Sequence, residues 1–238
     1  TLTGSAFTYI VHKPKVGMDD ANITLNYAEN ISKGFGYVYY VDGEKVEGST
    51  SLIWTFINVI FFKISESPEL LTTLIVSLVL FFSSSLSIKL NLNIQITKII
   101  VVFLFIFNPI FFTWTVWSLM DITLWILFFN VISLGILMSI LDENYFIKKN
   151  FLLFFLFTAL IILPLIRPEG ISISLGLGFL FYLYANINKK HNLKNKILIS
   201  IIFTILSFAI ITFIRLNYFG FPFPNTFYAK VSTSYLNQ

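Results

Sequence analysis

The polar residues that could do chemistry are few in this sequence, and they gather in four short clusters between long apolar runs. The first cluster holds the adjacent carboxylates Asp19 and Asp20, and Glu47 follows in the next polar stretch. A carboxylate can take the proton of an attacking hydroxyl group as a general base. Three carboxylates together could also bind a divalent cation such as Mg²⁺ or Mn²⁺, so metal use stays open at this point.

A short amphipathic helix is predicted directly after the two aspartates. Asp20 suits its N-cap, and Gly34 suits the position that ends it. Adjacent helical residues point about 100° apart, so Asp20 is predicted to cap while Asp19 is free to act as the base. Two alternatives stay open: the aspartates only begin a helix, and Glu47 is a solvated loop carboxylate. The apolar face of this helix is Ala21, Leu25, Ala28 and Ile31.

The second cluster centres on Asp121, which stands at the head of a long apolar run. The neighbouring Trp114, Trp117 and Trp125 are typical of the aromatic belt at a membrane surface. A carboxylate at this position must be paired or face water, or else it serves as the negative charge at a helix N-terminus. Both interpretations are kept.

The third cluster reads Arg-Pro-Glu-Gly over 167–170, between two apolar runs. The planar guanidinium of Arg167 can donate two hydrogen bonds at once to a phosphate. The alternative is an Arg167–Glu169 ion pair that only closes the turn. Gly170, Ser174 and Gly178 then recur every four residues, a spacing that favours close packing of helices.

The fourth cluster follows the last apolar run, where prolines and aromatic residues surround Asn225, Tyr228 and Lys230. These three side chains are polar groups on a rigid aromatic platform, and the alternative is that this segment only anchors the chain at the membrane. There is no cysteine, no glycine-rich phosphate loop, no serine nucleophile elbow and no basic stripe for nucleic acid.

The elements that must position these clusters are membrane helices. Of the 238 residues, 56% are hydrophobic and only 12% charged, against about 25% charged in soluble domains. This composition excludes an ordinary cytosolic protein and predicts an all-α polytopic membrane protein. Six apolar runs are near the ~20 residues that cross a bilayer: Leu70–Ile88, Ile99–Trp117, Ile122–Leu141, Phe151–Ile166, Ile171–Ile187 and Ile197–Ile214.

A seventh run, Leu52–Phe62, is too short to span, since it would make a helix of about 17 Å. It is predicted to lie at the membrane surface. The predicted division is an extracytoplasmic first loop with juxtamembrane helices (1–68), a six-helix bundle (69–216) and a second extracytoplasmic loop (217–238). By parity, a further span is expected before Thr1, and the chain is expected to be truncated at both ends.

The lysines orient the bundle. Cytoplasmic loops of membrane proteins carry an excess of Lys and Arg, and eight of the 16 basic residues fall in alternate loops that are predicted to share the cytoplasmic face: Lys89, Lys98, Lys148, Lys149, Lys189, Lys190, Lys194 and Lys196. All four polar clusters are then expected on the outer face.

The clusters together resemble bacterial GT-C glycosyltransferases, and among these the branch of the mycobacterial terminal β-(1→2) arabinofuranosyltransferases. The resemblance rests on Asp19–Asn30, Gly34–Tyr39, Val46–Thr50 with Trp54, Arg167–Gly170 and Pro224–Lys230, which are similar to the family's DDAYI-RYA-N, G-G-VY, VEG-T with LW, TRPEG and PNTFYAK. This chain departs from the pattern at three positions: Asn26 replaces Arg, Leu119-Met120-Asp121 replaces Gly-Leu-Glu, and Ile166 replaces Thr.

The resemblance implies a GT-C-like helix bundle in the bacterial cytoplasmic membrane, with the active site on the extracytoplasmic side. It implies an inverting transfer of a sugar from a polyprenyl-phosphate donor to an envelope glycan or lipid. Asp19 is then the expected base, supported by Asp20 and Glu47. The expected substrate-binding residues are Asp121, Arg167, Glu169, Asn225, Tyr228 and Lys230. The alternative is a transporter or flippase of a lipid-linked sugar, which would keep its ionisable groups near the bilayer midplane.

Overall fold

Helices make up the regular structure of the chain. The computed structural model describes residues 19–65, 68–91, 113–141 and 150–229, and no strand occurs among these residues. A π-helical turn at Thr113–Trp117 precedes α4. The α-helices are α1 (Asp19–Ser32), α2 (Leu52–Ile64), α3 (Pro68–Asn91), α4 (Ile122–Leu141), α5 (Asn150–Ile166), α6 (Gly170–Ile187) and α7 (His191–Phe219).

Three helices are long and apolar enough to cross a membrane, and they coincide with three of the six predicted spans. They are Ile122–Ile140 in α4, all of α6 and all of α7. Only 22%, 28% and 17% of the residues in their most apolar windows are buried in the protein. Most of their apolar surface therefore needs another apolar environment, as a lipid bilayer would supply. The all-helical class is confirmed for the described residues, and three of the predicted spans are helices long and apolar enough to cross a membrane.

The other three predicted spans have different outcomes. The run Phe151–Ile166 forms α5, whose 17 residues measure about 26 Å, somewhat less than a ~30 Å hydrocarbon layer. The run Leu70–Ile88 lies inside α3, whose described apolar part is the shorter stretch Pro68–Phe82. The run Ile99–Trp117 lies outside the described residues except for its last turn, which is π-helical.

Helix α5 lies at the centre of the bundle because it packs against α2, α4, α6 and α7. Its buried face repeats at helical spacing and contributes six residues to the main hydrophobic core: Leu153, Leu156, Ala159, Leu160, Leu163 and Ile166. Helix α3 packs on the far side of α4, and α6 packs on α7. This arrangement brings the connections before α4, between α5 and α6, and after α7 to one end of the bundle.

Helix α2 is short, as the sequence predicts, and lies at that same end. Its N-cap is Ser51, whose hydroxyl accepts from the backbone N–H of Trp54 at 3.3 Å. The buried Trp54 indole in turn donates to the carbonyl of Leu119 at 2.9 Å. One face of α2 is thus fixed to the bundle, and its opposite face leaves Phe56, Ile60 and Ile64 exposed in a stripe suited to a membrane surface.

Helix α1 is amphipathic as predicted, with its apolar face buried and its C-terminus at Gly34. Gly34 has a φ of +86°, and its N–H and that of Phe35 close the helix end onto the carbonyls of Ile31 and Asn30. The expectation that Asp20 is the N-cap is wrong. The helix already includes Asp19, so Asp20 lies within the first helical turn instead of before it.

The small-residue stripe of α6 permits close packing, as expected. A methyl group added at Gly170 would lie 2.4 Å from the Leu163 carbonyl oxygen of α5, and one added at Gly178 would lie 3.2 Å from Ile201 of α7. Gly176, which points away from both helices, has nothing within 4 Å of such a methyl group.

We expect Gly170→Ala to destabilise the protein, since its methyl group would meet backbone atoms that cannot move aside. The expected loss is about 1–3 kcal/mol. The matched control is Gly176→Ala, which adds the same methyl group in open space and should leave the unfolding midpoint unchanged or raised. Thermal unfolding in detergent measures both. Equal midpoints for the two variants would contradict the close packing of α5 and α6.

We also expect the two ends of the bundle to lie on opposite sides of the membrane. The chain has no cysteine, so single cysteines at Lys45 and Lys190 can be labelled without background. A membrane-impermeant maleimide should reach only Lys45→Cys in intact cells and only Lys190→Cys in inverted vesicles. Labelling of both from the same side would refute this topology.

Candidate functional site

A polar cleft opens at the end of the bundle where the connections meet. Its volume is about 90 Å³, roughly three water molecules' worth, so it suits a small charged group better than a whole sugar. Five segments that are separate in sequence supply its lining: Asp20, Ile23, Thr24, Gly48, Ser49, Thr50, Ser51, Met120, Asp121, Arg167, Glu169 and Thr226.

Arg167 and Asp121 form a two-pronged ion pair beside the cleft. Nε and Nη2 of Arg167 donate to the two carboxylate oxygens of Asp121 at 2.8 and 2.7 Å. This pairing, with the nearby charges of Glu169 and Asp20, raises the pKa of Arg167 above its ordinary value, although burial opposes it. Asp121 is therefore paired, and it also stands directly before the first residue of α4, so both interpretations of its position fit the structure. Glu169 is a minor partner, 3.9 Å from Nη1 and mostly exposed.

The loop that carries Asp121 is strained at Leu119. Leu119 has a φ of +55°, a conformation that residues other than glycine seldom adopt. Its side chain is buried against Ala21 and Leu25 of α1, and its carbonyl accepts from Trp54. These contacts hold the strained residue in place.

Glu47 is buried and forms an ion pair with Arg215 at the end of α7. Nε and Nη2 of Arg215 donate to its two carboxylate oxygens at 2.8 and 3.0 Å, and each side chain is only 2% exposed. Burial raises the pKa of Glu47 against the opposing hydrogen bonds and charge of Arg215. The alternative of a solvated Glu47 is wrong. Both of its oxygens are engaged and it does not line the cleft, so in this arrangement it positions the loop instead of acting as a base.

The loop between Val46 and Ser51 is also tied to α1. The Tyr27 hydroxyl donates to the Val46 carbonyl at 2.7 Å and accepts from the Gly48 N–H at 3.2 Å. A Cβ atom added at Gly48 would lie 2.8 Å from that hydroxyl oxygen, so a larger residue would require the Tyr27 ring to shift. On the other side, the Ser49 hydroxyl pairs with the hydroxyls of Thr24 (3.1 Å) and Thr55 (2.9 Å).

The segment after α7 contacts the loop between α1 and α2 and forms one side of the cleft. The backbone N–H of Asn225 donates to the Glu47 carbonyl at 2.9 Å, and the hydroxyls of Thr50 and Thr226 are 3.4 Å apart. Residues 225–229 form a short helical turn, although the prolines before it suggest irregular structure. The residue that lines the cleft is Thr226. The Asn225 side chain is exposed, and Tyr228 packs against the rings of Phe221 and Phe227.

The structure thus assembles part of the predicted site. Asp20, Asp121, Arg167 and Glu169 meet at one cleft although they lie on three separate segments. Glu47 is adjacent through its backbone only. The Asp19 side chain and Lys230 lie outside the described residues. Within the described ranges no three His, Cys, Asp or Glu residues are close enough together to hold a metal ion.

Two contributors were missed from the sequence. Arg215 shows a signal that could have identified it, since it is the charge that ends an 18-residue uncharged run and so needs a partner. The hydroxyl pair formed by Thr24 and Ser49 shows none, because small polar residues are common throughout the chain.

No protein-family model, no curated protein and no solved structure matches this chain. The family assignment therefore remains a resemblance carried by the sequence motifs. The site is interpreted from its own geometry.

We expect Glu47→Gln to destabilise the protein strongly, because it leaves the buried Arg215 without a counter-charge. The expected loss is about 3–5 kcal/mol. The control is Glu29→Gln, which removes the exposed ion pair between Glu29 and Lys33 and should cost less than about 1 kcal/mol. Denaturant unfolding in detergent gives both values.

A double variant distinguishes the cost of an unpaired buried charge from the cost of changed packing. Replacing both Glu47 and Arg215 by methionine removes the charges together, so it should be less destabilised than Glu47→Gln. Equal unfolding midpoints for Glu47→Gln and Glu29→Gln would contradict the importance of the buried pair.

Proposed function

We propose that this protein is an inverting membrane glycosyltransferase with a GT-C-like helix bundle in the bacterial cytoplasmic membrane. It would transfer a sugar from a polyprenyl-phosphate donor to a hydroxyl of an envelope glycan or lipid, on the extracytoplasmic side. The observation that carries the proposal is a cleft at one end of an apolar bundle that brings a carboxylate, Asp20, to the same small space as the guanidinium of Arg167. The sequence motifs support it independently.

Arg167 suits the leaving phosphate. Asp121 occupies Nε and Nη2 and so fixes the orientation of the guanidinium. Nη1 has only the distant Glu169 carboxylate, and the Arg167 side chain is 24% exposed, so its donors can reach an anion in the cleft. Donors that are fixed before the reaction stabilise developing charge without the cost of reorganising.

Asp20 is the better base on this geometry. In the proposed reaction the acceptor oxygen bonds to the anomeric carbon from the face opposite the phosphate. The bond from that carbon to the phosphate oxygen breaks, polyprenyl phosphate leaves, and the hydroxyl proton passes to a carboxylate. Asp20 lines the cleft, whereas Glu47 is committed to Arg215. The side chain of Asp19, the base expected from the sequence, lies outside the described residues.

The formal charge of the cleft sets a further condition. Asp20, Asp121 and Glu169 carry three negative charges against one positive charge on Arg167. A phosphate entering this cleft needs additional positive charge. Lys230, which directly follows the described turn at 225–229, is the candidate in the sequence. A Mg²⁺ ion carried by the donor phosphate is the other source, since such ions need only one or two carboxylates from the protein.

Transport of a lipid-linked sugar is the weaker alternative. Transporters place ionisable groups near the bilayer midplane, often on interrupted helices. In the described part of the chain, α4 and α6 carry no charged residue, and those of α7 lie near its two ends. The two ion pairs of the site sit at one end of the bundle.

The test is transfer of labelled sugar from polyprenyl-phosphate donors by the full-length protein in detergent. We expect Arg167→Lys to keep the positive charge but lose the planar guanidinium that donates two hydrogen bonds at once. Transfer should therefore fall by about tenfold or more. Asp20→Asn, nearly isosteric but no base, should lower transfer on the order of 10²-fold, and Asp19→Asn should be milder. Glu29→Gln, on the exposed part of α1, is the control with unchanged transfer.

The outcomes separate the assignments. A larger loss in Asp19→Asn than in Asp20→Asn would return the role of base to Asp19. Loss of transfer on chelation, restored by Mg²⁺, would identify the metal ion as the source of positive charge. Absence of transfer with every donor, combined with movement of a labelled lipid-linked sugar across vesicles, would replace the proposal by transport.

A further inference from the structure

A second cavity lies between α5 and α7, toward the end of the bundle away from the cleft. Its volume is about 320 Å³, larger than the cleft. It is a groove on the outer surface of the bundle, mainly apolar in its lining. The side chains that matter here are Leu153, Phe154 and Phe157 of α5 and Lys196, Ser200 and Phe203 of α7.

The groove begins at the level of a membrane surface. Lys196 and Arg215 bound the uncharged part of α7, and 19 residues at 1.5 Å each place them about 28 Å apart along the helix. This is close to the ~30 Å thickness of the hydrocarbon layer. Arg215 belongs to the end with the cleft, so Lys196 lies at the opposite membrane surface and the groove runs from there into the hydrocarbon.

Two polar groups in the groove are unpaired among the described residues. Lys196 has no ion pair there, and no Asp or Glu occurs in α5 or anywhere after Glu169. The Ser200 side-chain oxygen is buried and has no hydrogen-bond partner. Ser200 follows Lys196 by one helical turn, so both lie on the same face of α7.

Nearby lysines add to the positive charge of this end. Lys194 is bonded to Asn186, and Lys190 is bonded to the Tyr184 hydroxyl. The Asn186 partner of Lys194 is a neutral amide, so this bond leaves the Lys194 charge in place. A basic pocket between membrane helices on the lysine-rich side is the usual setting for anionic lipid headgroups.

We propose that this groove binds an anionic phospholipid. The headgroup phosphate contacts Lys196, the Ser200 hydroxyl donates to an ester oxygen, and one acyl chain lies along Phe154, Phe157 and Phe203. The charge and the depth of the groove favour this occupant over a neutral lipid, which would leave Lys196 uncompensated. The inference does not depend on the proposed glycosyltransferase activity, because it concerns the opposite end of the bundle.

The first test measures lipid retention on the purified full-length protein by native mass spectrometry. Phosphatidylglycerol and phosphatidylcholine with identical acyl chains are offered at equal concentrations. We expect about fivefold or greater retention of phosphatidylglycerol, since one lysine near a membrane surface is worth about that factor. Lys196→Gln should abolish the preference and Lys196→Arg should keep it. Lys194→Gln, whose lysine bonds Asn186 outside the groove, is the matched control.

A second test identifies what covers the groove in the membrane. Ser200→Leu fills the groove with an apolar side chain and should lower retention of both lipids. A benzophenone amino acid at Phe203 should cross-link to phospholipid on illumination of native membranes. Equal retention of the two lipids, or a preference that survives Lys196→Gln, would overturn the proposal. A cross-link to protein would also overturn it, because a further helix or a second copy would then cover the groove.

Discussion

The buried ion pair between Glu47 and Arg215 is the interaction on which the end of the bundle with the cleft depends. The pair joins the loop between α1 and α2 to the last turns of α7, with both side chains only 2% exposed. Moving two charges out of water is costly, and the attraction and hydrogen bonds between the two opposite charges offset this desolvation cost. The pair fixes the position of the loop Val46–Ser51. In that position the Glu47 carbonyl accepts a hydrogen bond from the Asn225 N–H. Two segments that are 168 residues apart are thereby held over one cleft.

The two arginine–carboxylate pairs have the same geometry and different consequences. Each arginine donates Nε and Nη2 to both oxygens of its partner. Arg215 is fully enclosed, so its pair can only support structure. Arg167 stands at the cleft and is partly exposed, so the same bidentate contact orients the guanidinium and leaves Nη1 for a ligand. Exposure, more than pairing, separates Arg215 from Arg167, the arginine that we propose binds the phosphate.

Helix α7 relates the two ends of the molecule. Its 29 residues measure about 43 Å, longer than the hydrocarbon layer, so both of its ends project from it. Arg215 near one end supports the cleft through Glu47. Lys196 near the other end lies in the groove shared with α5. A polar cleft for the proposed transfer and a basic groove for the proposed lipid thus lie on one continuous helix, separated by the thickness of the membrane.

The sequence by itself determined the helical class, three helices long and apolar enough to span a membrane, the short helix α2, the amphipathic α1 with its end at Gly34, and the small-residue face of α6. These features follow from local periodicity and residue size, which are readable along the chain. The sequence also predicts Asp20, Asp121, Arg167 and Glu169 as site residues, and these four line the cleft. Only the tertiary structure decided that Asp121 pairs with Arg167, that Glu47 is enclosed by Arg215, and that Thr226, not Asn225, lines the cleft. A charged residue near a membrane helix end needs a partner, but which partner it finds depends on how helices far apart in sequence pack together.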